Sequence, residues 1–310
     1  MAYRKLGNSG LKVSEVGLGS NNFGWRDDEA TSITVINQAI DNGINFIDTA
    51  DIYGRGQSED FVGKAVKDKR SRVIIATKFA NPMGDGPNDR GGSRQYIFKA
   101  VDASLRRLQT DYIDLYQMHI ADASTPIEET LRALDDLVHA GKVRYIGCSN
   151  FAAWQLCEAL WTSRVHNLEP FVTVQPRYNL LDRGIERELV PCCQAYNVGV
   201  IPYTPLAGGF LTGKYRQGQE PPAGVRFSRR DPNYDRIVNS FNWQKLAKLE
   251  AFATGHGHTI GELAIAWLLA KPWTSTVIAG ARNLEQITAN VTAGQWKLTP
   301  DEVTEVDAIA

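Results

Sequence analysis

Residues 137–149 read LVHAGKVRYIGCS. A helix-favouring stretch ends at Gly141, and an apolar, β-branched run opens at Val143. Glycine enters the left-handed conformation of a helix C-cap at no steric cost, so the order of events is helix, cap, strand. The same order recurs at residues 39–49, AIDNGINFIDT, around Gly43, and at 193–205, CQAYNVGVIPYTP, around Gly199. The strand runs are continuously apolar rather than alternating. That is the mark of strands covered on both faces, as in a parallel sheet.

Working outward, eight such runs are expected, at residues 15–19, 45–48, 73–78, 113–119, 143–149, 171–175, 199–204 and 276–280. Helical stretches separate them, among them 29–41, 95–108, 126–140 and 259–270. The usual spacing is roughly 30 residues, the size of one strand–helix–strand unit. Eight units in 310 residues predict an α/β fold of the (β/α)8 barrel type, with 1–310 as a single domain. A doubly wound sheet is the rival, and it usually needs fewer strands or a second domain. YRKLGNSGLKVS, residues 3–14, reads as a hairpin around Asn8 and Gly10 that covers the bottom of the barrel. Residues 206–239 are rich in glycine and proline, a long loop of the kind that is commonly functional. A last helix is expected after Thr299, with Glu302 completing its capping box.

Composition excludes several classes of function. A net charge of −1 offers no electrostatic pull toward nucleic acid or an anionic membrane. The densest basic run, KDKRSR at 67–72, reads as a solvated helix end leading into a strand. No stretch is apolar for long enough to span a bilayer, and the N-terminal residues lack the apolar core of a secretion signal. The four cysteines, Cys148, Cys157, Cys192 and Cys193, show no zinc-ligand spacing and no disulfide framework, so no metal is expected and a cytoplasmic location is. GLGSNNFG at 17–24 does not fit the G-x-G-x-x-G dinucleotide fingerprint. GGFLTGKY at 208–215 approaches a phosphate loop, but Tyr215 stands where Ser or Thr would bind magnesium.

In a barrel of this type the active site lies at the C-terminal ends of the strands. Polar residues end one strand after another there: Asp48 with Tyr53 just beyond, then Lys78, His119, Ser149 with Asn150, Gln175, and Tyr203. A phenol is a weak acid at neutral pH. An ammonium about 4 Å away favours the phenolate by about 4 kcal/mol at an effective dielectric of about 20, before desolvation is subtracted, and a phenol made more acidic by the cation is expected. Asp48 can hold Lys78 charged and in place, and His119 can orient a substrate oxygen. Asp48, Tyr53, Lys78 and His119 together therefore suit proton delivery to a carbonyl undergoing reduction. Taken singly, each has an ordinary structural reading: a cap, a rim charge, a satisfied inner histidine.

YRKLGNSGLKVSEVGLGS, IDTADIYG, ATK, DYIDLYQMH, GCSNF and IAGARNLEQITAN resemble the aldo-keto reductases across essentially the whole chain, in the bacterial and potassium-channel-β-subunit-like branches. The resemblance implies a (β/α)8 barrel that binds NADPH or NADP+ and acts on a small-molecule carbonyl, with Tyr53 as general acid. It implies that Ser149, Asn150 and Gln175 hold the nicotinamide carboxamide and that Tyr203 stacks on the ring. Leu206, Gly208, Leu211 and Lys214 fall on the pyrophosphate loop, and Gly280, Arg282, Gln286 and Asn290 on the adenosine-phosphate end. Gly19, Ser20, Asn21, Asp48, Thr204 and Pro205 join the cofactor set. A helix beginning near Asn283 and the planar cation of Arg282 suit a 2′-phosphate on chemical grounds as well. Trp25, Phe79 and Ile120 are candidates for an apolar substrate pocket, and Arg226, Arg229 and Arg230 for closure over the cofactor phosphates. The residues after His119, IADAS, lack the basic residue that many relatives carry there, and Pro176 and Arg177 after Gln175 are not the commonest continuation. The branch also implies a second reading, a redox-sensing regulatory subunit that binds NADP(H) with little turnover. From the residues themselves a third remains, a lyase forming a Schiff base on Lys78.

Overall fold

The computed structural model describes residues 1–220, 222 and 243–310. Strands β1 (Tyr3–Lys5) and β2 (Lys12–Ser14) form the antiparallel hairpin. The barrel strands follow: β3 (Val16–Gly19), β4 (Phe46–Asp48), β5 (Ile74–Phe79), β6 (Ile113–Met118), β7 (Val143–Ser149), β8 (Thr173–Gln175), β9 (Gly199–Val200) and β10 (Val277–Gly280). They make one eight-stranded parallel sheet in the order β10-β3-β4-β5-β6-β7-β8-β9. The ring closes between β9 and the approach to β10. Ser275 N donates to Val200 O at 2.9 Å and Ile278 N to Pro202 O at 2.9 Å.

Each strand begins or ends within about three residues of its expectation, except the one expected to run from Gly199 to Thr204, which is regular only over Gly199–Val200. Pro176 and Pro202 carry no N–H to donate to the ladder. The chain stays extended all the same, since Ile201 N reaches Val174 O at 2.9 Å and Tyr203 N reaches Pro176 O at 3.1 Å.

The helices between the strands are α1 (Glu29–Asp41), α2 (Gln57–Val66), α3 (Arg94–Leu108), α4 (Ile127–His139), α5 (Ala153–His166) and α6 (Leu189–Tyr196). After the undescribed residues come α7 (Trp243–Gly255), α8 (Ile260–Ala270), α9 (Leu284–Ala293) and α10 (Pro300–Ile309). Their starts follow local chemistry. Ser93 caps α3 through the Tyr96 amide, and Thr259 and Thr299 form reciprocal capping boxes with Glu262 and Glu302.

Two apolar layers result. The larger lies between barrel and helices. The smaller fills the lower barrel, where Phe46, Ile74, Ala76, Leu115, Ile201 and Ile278 meet Leu6 and Val13 of the hairpin. The hairpin is thus a plug for the barrel floor, as expected. Gly7, at φ 53°, allows its close approach, because a Cβ there would lie 1.9 Å from Val172 O. The basic run at 67–72 is less solvated than expected. Arg70 pairs with Asp114 at 2.7 Å and donates to the Val73 and Tyr112 carbonyls, tying β5 to β6.

Candidate active site

Side chains alternate along a strand, so every second residue faces the barrel axis. On β5 these are Ile74, Ala76 and Lys78; on β4, Phe46 and Asp48; on β6, Leu115 and Gln117. The interior is therefore apolar below and polar at its C-terminal mouth, where the polar groups form one network. Lys78, fully buried, spends its donors on three oxygens: Asp48 Oδ2 at 2.7 Å, Thr49 O at 2.8 Å and Tyr53 Oη at 3.5 Å, the last at the outer edge of a hydrogen bond. Asp48 Oδ1 accepts from Gln175 Nε2 at 2.7 Å and Gln117 Nε2 at 3.4 Å. The tyrosine and His119 rings meet edge to face, with centroids 5.8 Å apart.

The approach of Asp48 to Tyr53 depends on the arc that joins them. Thr49 N donates to Ala76 O at 2.8 Å and Asp51 N to Lys78 O at 3.2 Å, so the arc lies along β5. Tyr53 opens a short turn in which Gly54, Arg55 and Gly56 all have positive φ, and α2 starts directly after it.

Burial would lower the Lys78 ammonium, but the Asp48 charge and its hydrogen bonds reverse this and hold the amine protonated above its ordinary value. Burial likewise dominates at Tyr53 and raises the phenol, with the Lys78 cation opposing it. The expected net acidification of the phenol is corrected accordingly: in this enclosed site, loss of solvation outweighs the cation. Burial and the Lys78 charge push His119 down to about 3, so its imidazole is neutral at physiological pH. Its Nδ1 is buried without a partner.

From this mouth a cleft runs outward in two parts. The inner cavity, about 300 Å³, is lined by Tyr53, His119, Asp48, Ser149, Asn150, Gln175 and Tyr203, with Gly19, Ser20, Asn21, Thr204, Pro205, Leu206, Gly208 and Gly280 around them. The outer cavity, about 480 Å³, shares Leu206, Gly208 and Gly280 and adds Lys214, Arg282, Gln286 and Asn290. Glycine backbone floors the middle: a Cβ on Gly280 would meet only Gly19 O at 3.7 Å and Asn22 Nδ2 at 3.8 Å. Amides and hydroxyls at the inner end, bare backbone in the middle and cations at the outer end can accept an extended anionic dinucleotide. The inner groups are already linked, since Tyr203 Oη donates to Asn150 Oδ1 at 2.7 Å and Ser149 Oγ to Gln175 O at 2.7 Å. Asn150 and Thr204 sit at positive φ, unusual for a β-branched threonine and typical of functional rims.

Several expected residues lie elsewhere or do more than expected. Leu211 is fully buried and packs into the outer core, because the turn over Ala207–Thr212 rotates its side chain away from the cleft. Phe79 is also fully buried, stacked on Tyr116 at 4.8 Å, since it is out of phase with Lys78 on β5 and faces the helices. Trp25 and Ile120 are exposed and line neither part of the cleft. Arg282 bonds Asp27 Oδ1 through Nε at 2.6 Å. Arg226, Arg229 and Arg230 lie outside the described residues. Gln117 was not among the expected residues, although it precedes His119 by two and so shares its face. Among the described residues no cluster of His, Cys, Asp and Glu could hold a metal, and no helix is long and apolar enough to cross a membrane.

Comparison with known proteins was consistent across the chain. The model of the aldo/keto reductase family matches residues 15–310. An uncharacterized oxidoreductase of Bacillus subtilis (strain 168) is 39% identical, covering 96% of this chain and 92% of its own length. A probable voltage-gated potassium channel subunit beta of Oryza sativa subsp. japonica is 37% identical, over 100% of this chain and 96% of its own. Versiconal hemiacetal acetate reductase of Aspergillus parasiticus is 36% identical, over 98% and 95%.

Proposed function

The chain belongs to the aldo/keto reductase family, and from that premise we propose that it is an NADP(H)-dependent reductase of aldehyde or ketone carbonyls, acting as one domain. The bound nicotinamide would supply the hydride. The chain's own residues supply the proton and the geometry. Tyr53 delivers its phenol proton to the carbonyl oxygen as negative charge grows there. The Lys78 cation stabilises the phenolate left behind, and Asp48 keeps that cation in place. His119, neutral, orients the carbonyl oxygen without competing as an acid. A buried phenol with a raised pKa keeps its proton until the oxygen becomes strongly basic, and the same array run backward accepts a proton from an alcohol.

The observation that carries this reading is the position of Lys78 Nζ, 2.7 Å from Asp48 and 3.5 Å from Tyr53 Oη, at one mouth of the barrel. It also weighs against a Schiff-base lyase, because an amine held protonated and bonded to three oxygens is not a nucleophile. Tyr53→Phe is expected to lower kcat by about 10²–10⁴-fold while NADPH binding stays within about threefold. Near-normal turnover would remove Tyr53 as the acid.

For the 2′-phosphate, the supporting features are Arg282 and Lys214 at the outer end of the cleft. Arg282→Ala should raise KM for NADPH at least about tenfold more than KM for NADH, the weight of a charge-assisted hydrogen bond. Equal changes would assign Arg282 only to its bond with Asp27. The relatives named as channel subunits favour a second reading, a regulatory subunit that binds NADP(H) with little turnover. A panel of aldehydes, ketones and sugars followed by NADPH absorbance separates the two. Tight cofactor binding with no turnover on any of them would favour the subunit.

A further inference from the structure

Behind the catalytic arc lies a second group of ionisable side chains that carbonyl reduction does not use. Asp51, between Asp48 and Tyr53 in the arc, is 1% exposed, and no side-chain cation is bonded to its carboxylate; the Ile52 amide and the Tyr96 hydroxyl are the hydrogen-bonding groups that face it. Beside it Glu59, on α2, is fully buried and takes both Arg107 contacts, to Nε at 2.7 Å and Nη2 at 2.6 Å, together with the Thr77 hydroxyl. The Tyr96 hydroxyl, on α3, donates to Asn81 O at 3.1 Å, and the Tyr116 hydroxyl, on β6, is buried without a partner. On the β5 side, Lys78 is committed to Asp48. Two carboxyls thus share one guanidinium, and it is bonded to the other one.

We propose that Asp51 is a positioning residue whose carboxyl must stay protonated for the arc of residues 48–53 to hold Tyr53 against Lys78. The inference rests on the reading of Tyr53 as the acid. A neutral carboxyl is tolerated in this pocket. An ionised one would face Glu59 with no cation bonded to it, buried away from solvent. Burial first, and then the Glu59 charge, push Asp51 up to about 8, against the Ile52 amide and the Arg107 and Lys78 charges, which pull the other way. Relief requires Asp51 to move. Its amide is bonded to Lys78 O and its neighbour Thr49 to Lys78 Nζ, so movement there disturbs the lysine and the tyrosine together.

The test compares kcat and NADPH affinity, read by protein fluorescence, from about pH 6 to about pH 10 in the wild type, Asp51→Asn and Tyr53→Phe. Wild-type kcat is expected to fall at least about tenfold as pH rises through about 8, with affinity moving less than about twofold. Asp51→Asn keeps the shape without the acid and should lose that fall. Burial raises the Tyr53 phenol above its ordinary value, and a fall caused by the phenol would persist in Asp51→Asn, which separates the two groups. An unchanged alkaline fall in Asp51→Asn, with Tyr53→Phe inactive, overturns the Asp51 inference alone. Near-normal turnover in Tyr53→Phe overturns the reading of Tyr53 and this inference with it. If Asp51→Asn does not fold, infrared spectroscopy of the wild type decides: a protonated-carboxyl band that vanishes through about pH 8 supports the inference, and its absence at neutral pH overturns it.

Discussion

Lys78 gives its three donors to a carboxylate, a carbonyl and a phenol, all inside a fully buried site. Removing one member of a buried ion pair strands the other. Lys78→Met should therefore destabilise the fold by about 3–5 kcal/mol and abolish reduction, whereas Tyr53→Phe should cost little stability. Urea denaturation of both variants checks this. A loss below about 1 kcal/mol in Lys78→Met would show that Gln117 and Gln175 alone sustain Asp48. That Asp48, Lys78 and His119 meet at one mouth was legible because each lies at or beside the end of a strand, where apolar phase gives way to a polar residue; Tyr53 was legible from its place five residues after Asp48. Gln117 was missed because the reading took only the last polar residue of each strand. Phe79 was misplaced for a related reason: adjacency to Lys78 in sequence puts it on the opposite face. The ionisation of Tyr53 was misjudged because a sequence supplies the neighbouring cation but not the depth of burial.

Element boundaries were most legible where side chains cap helices, as at Ser93, Thr259 and Thr299. They were least legible where proline interrupts a ladder without bending the chain, as at Pro176 and Pro202. Helix-to-helix spacing was not legible at all, since it depends on contacts between segments distant in sequence. Gly63 of α2 shows this. A Cβ there would lie 2.6 Å from Arg107 O and from the Leu108 carbonyl carbon, the backbone at the end of α3. Backbone cannot rotate aside as a side chain can. Gly63→Ala should push α2 off α3 and destabilise by about 1–3 kcal/mol, despite alanine's better helix propensity. Thermal unfolding would show it, and a rise in Tm would mean that the two helices can separate at no cost.

At the scale of the molecule, the barrel was legible from the number and spacing of its apolar runs, while its closure through Val200 and Ser275 was not. The pH dependence of stability is also a whole-molecule property. Asp51 binds its proton up to about 8 in the folded protein, against an ordinary value of 3.8. Between those values the folded state holds more protons than the unfolded one, so stability falls as pH rises across the window, by at most about 1.4 kcal/mol per pH unit. Asp51→Asn should flatten this slope, leaving the protein more stable than wild type near pH 8 by thermal unfolding. A parallel slope in the variant would assign the dependence to other groups.

The plug on the barrel floor imposes an order of events. Arg4 Nη1 bonds Thr274 O at 3.3 Å, and Gly7 N bonds Ser275 Oγ at 3.0 Å. As the ribosome extends this chain, the hairpin residues emerge more than two hundred and fifty positions before the partners that seat them. The hairpin is made long before the strand that seats it, so a nascent chain waits with its stopper outside the bottle.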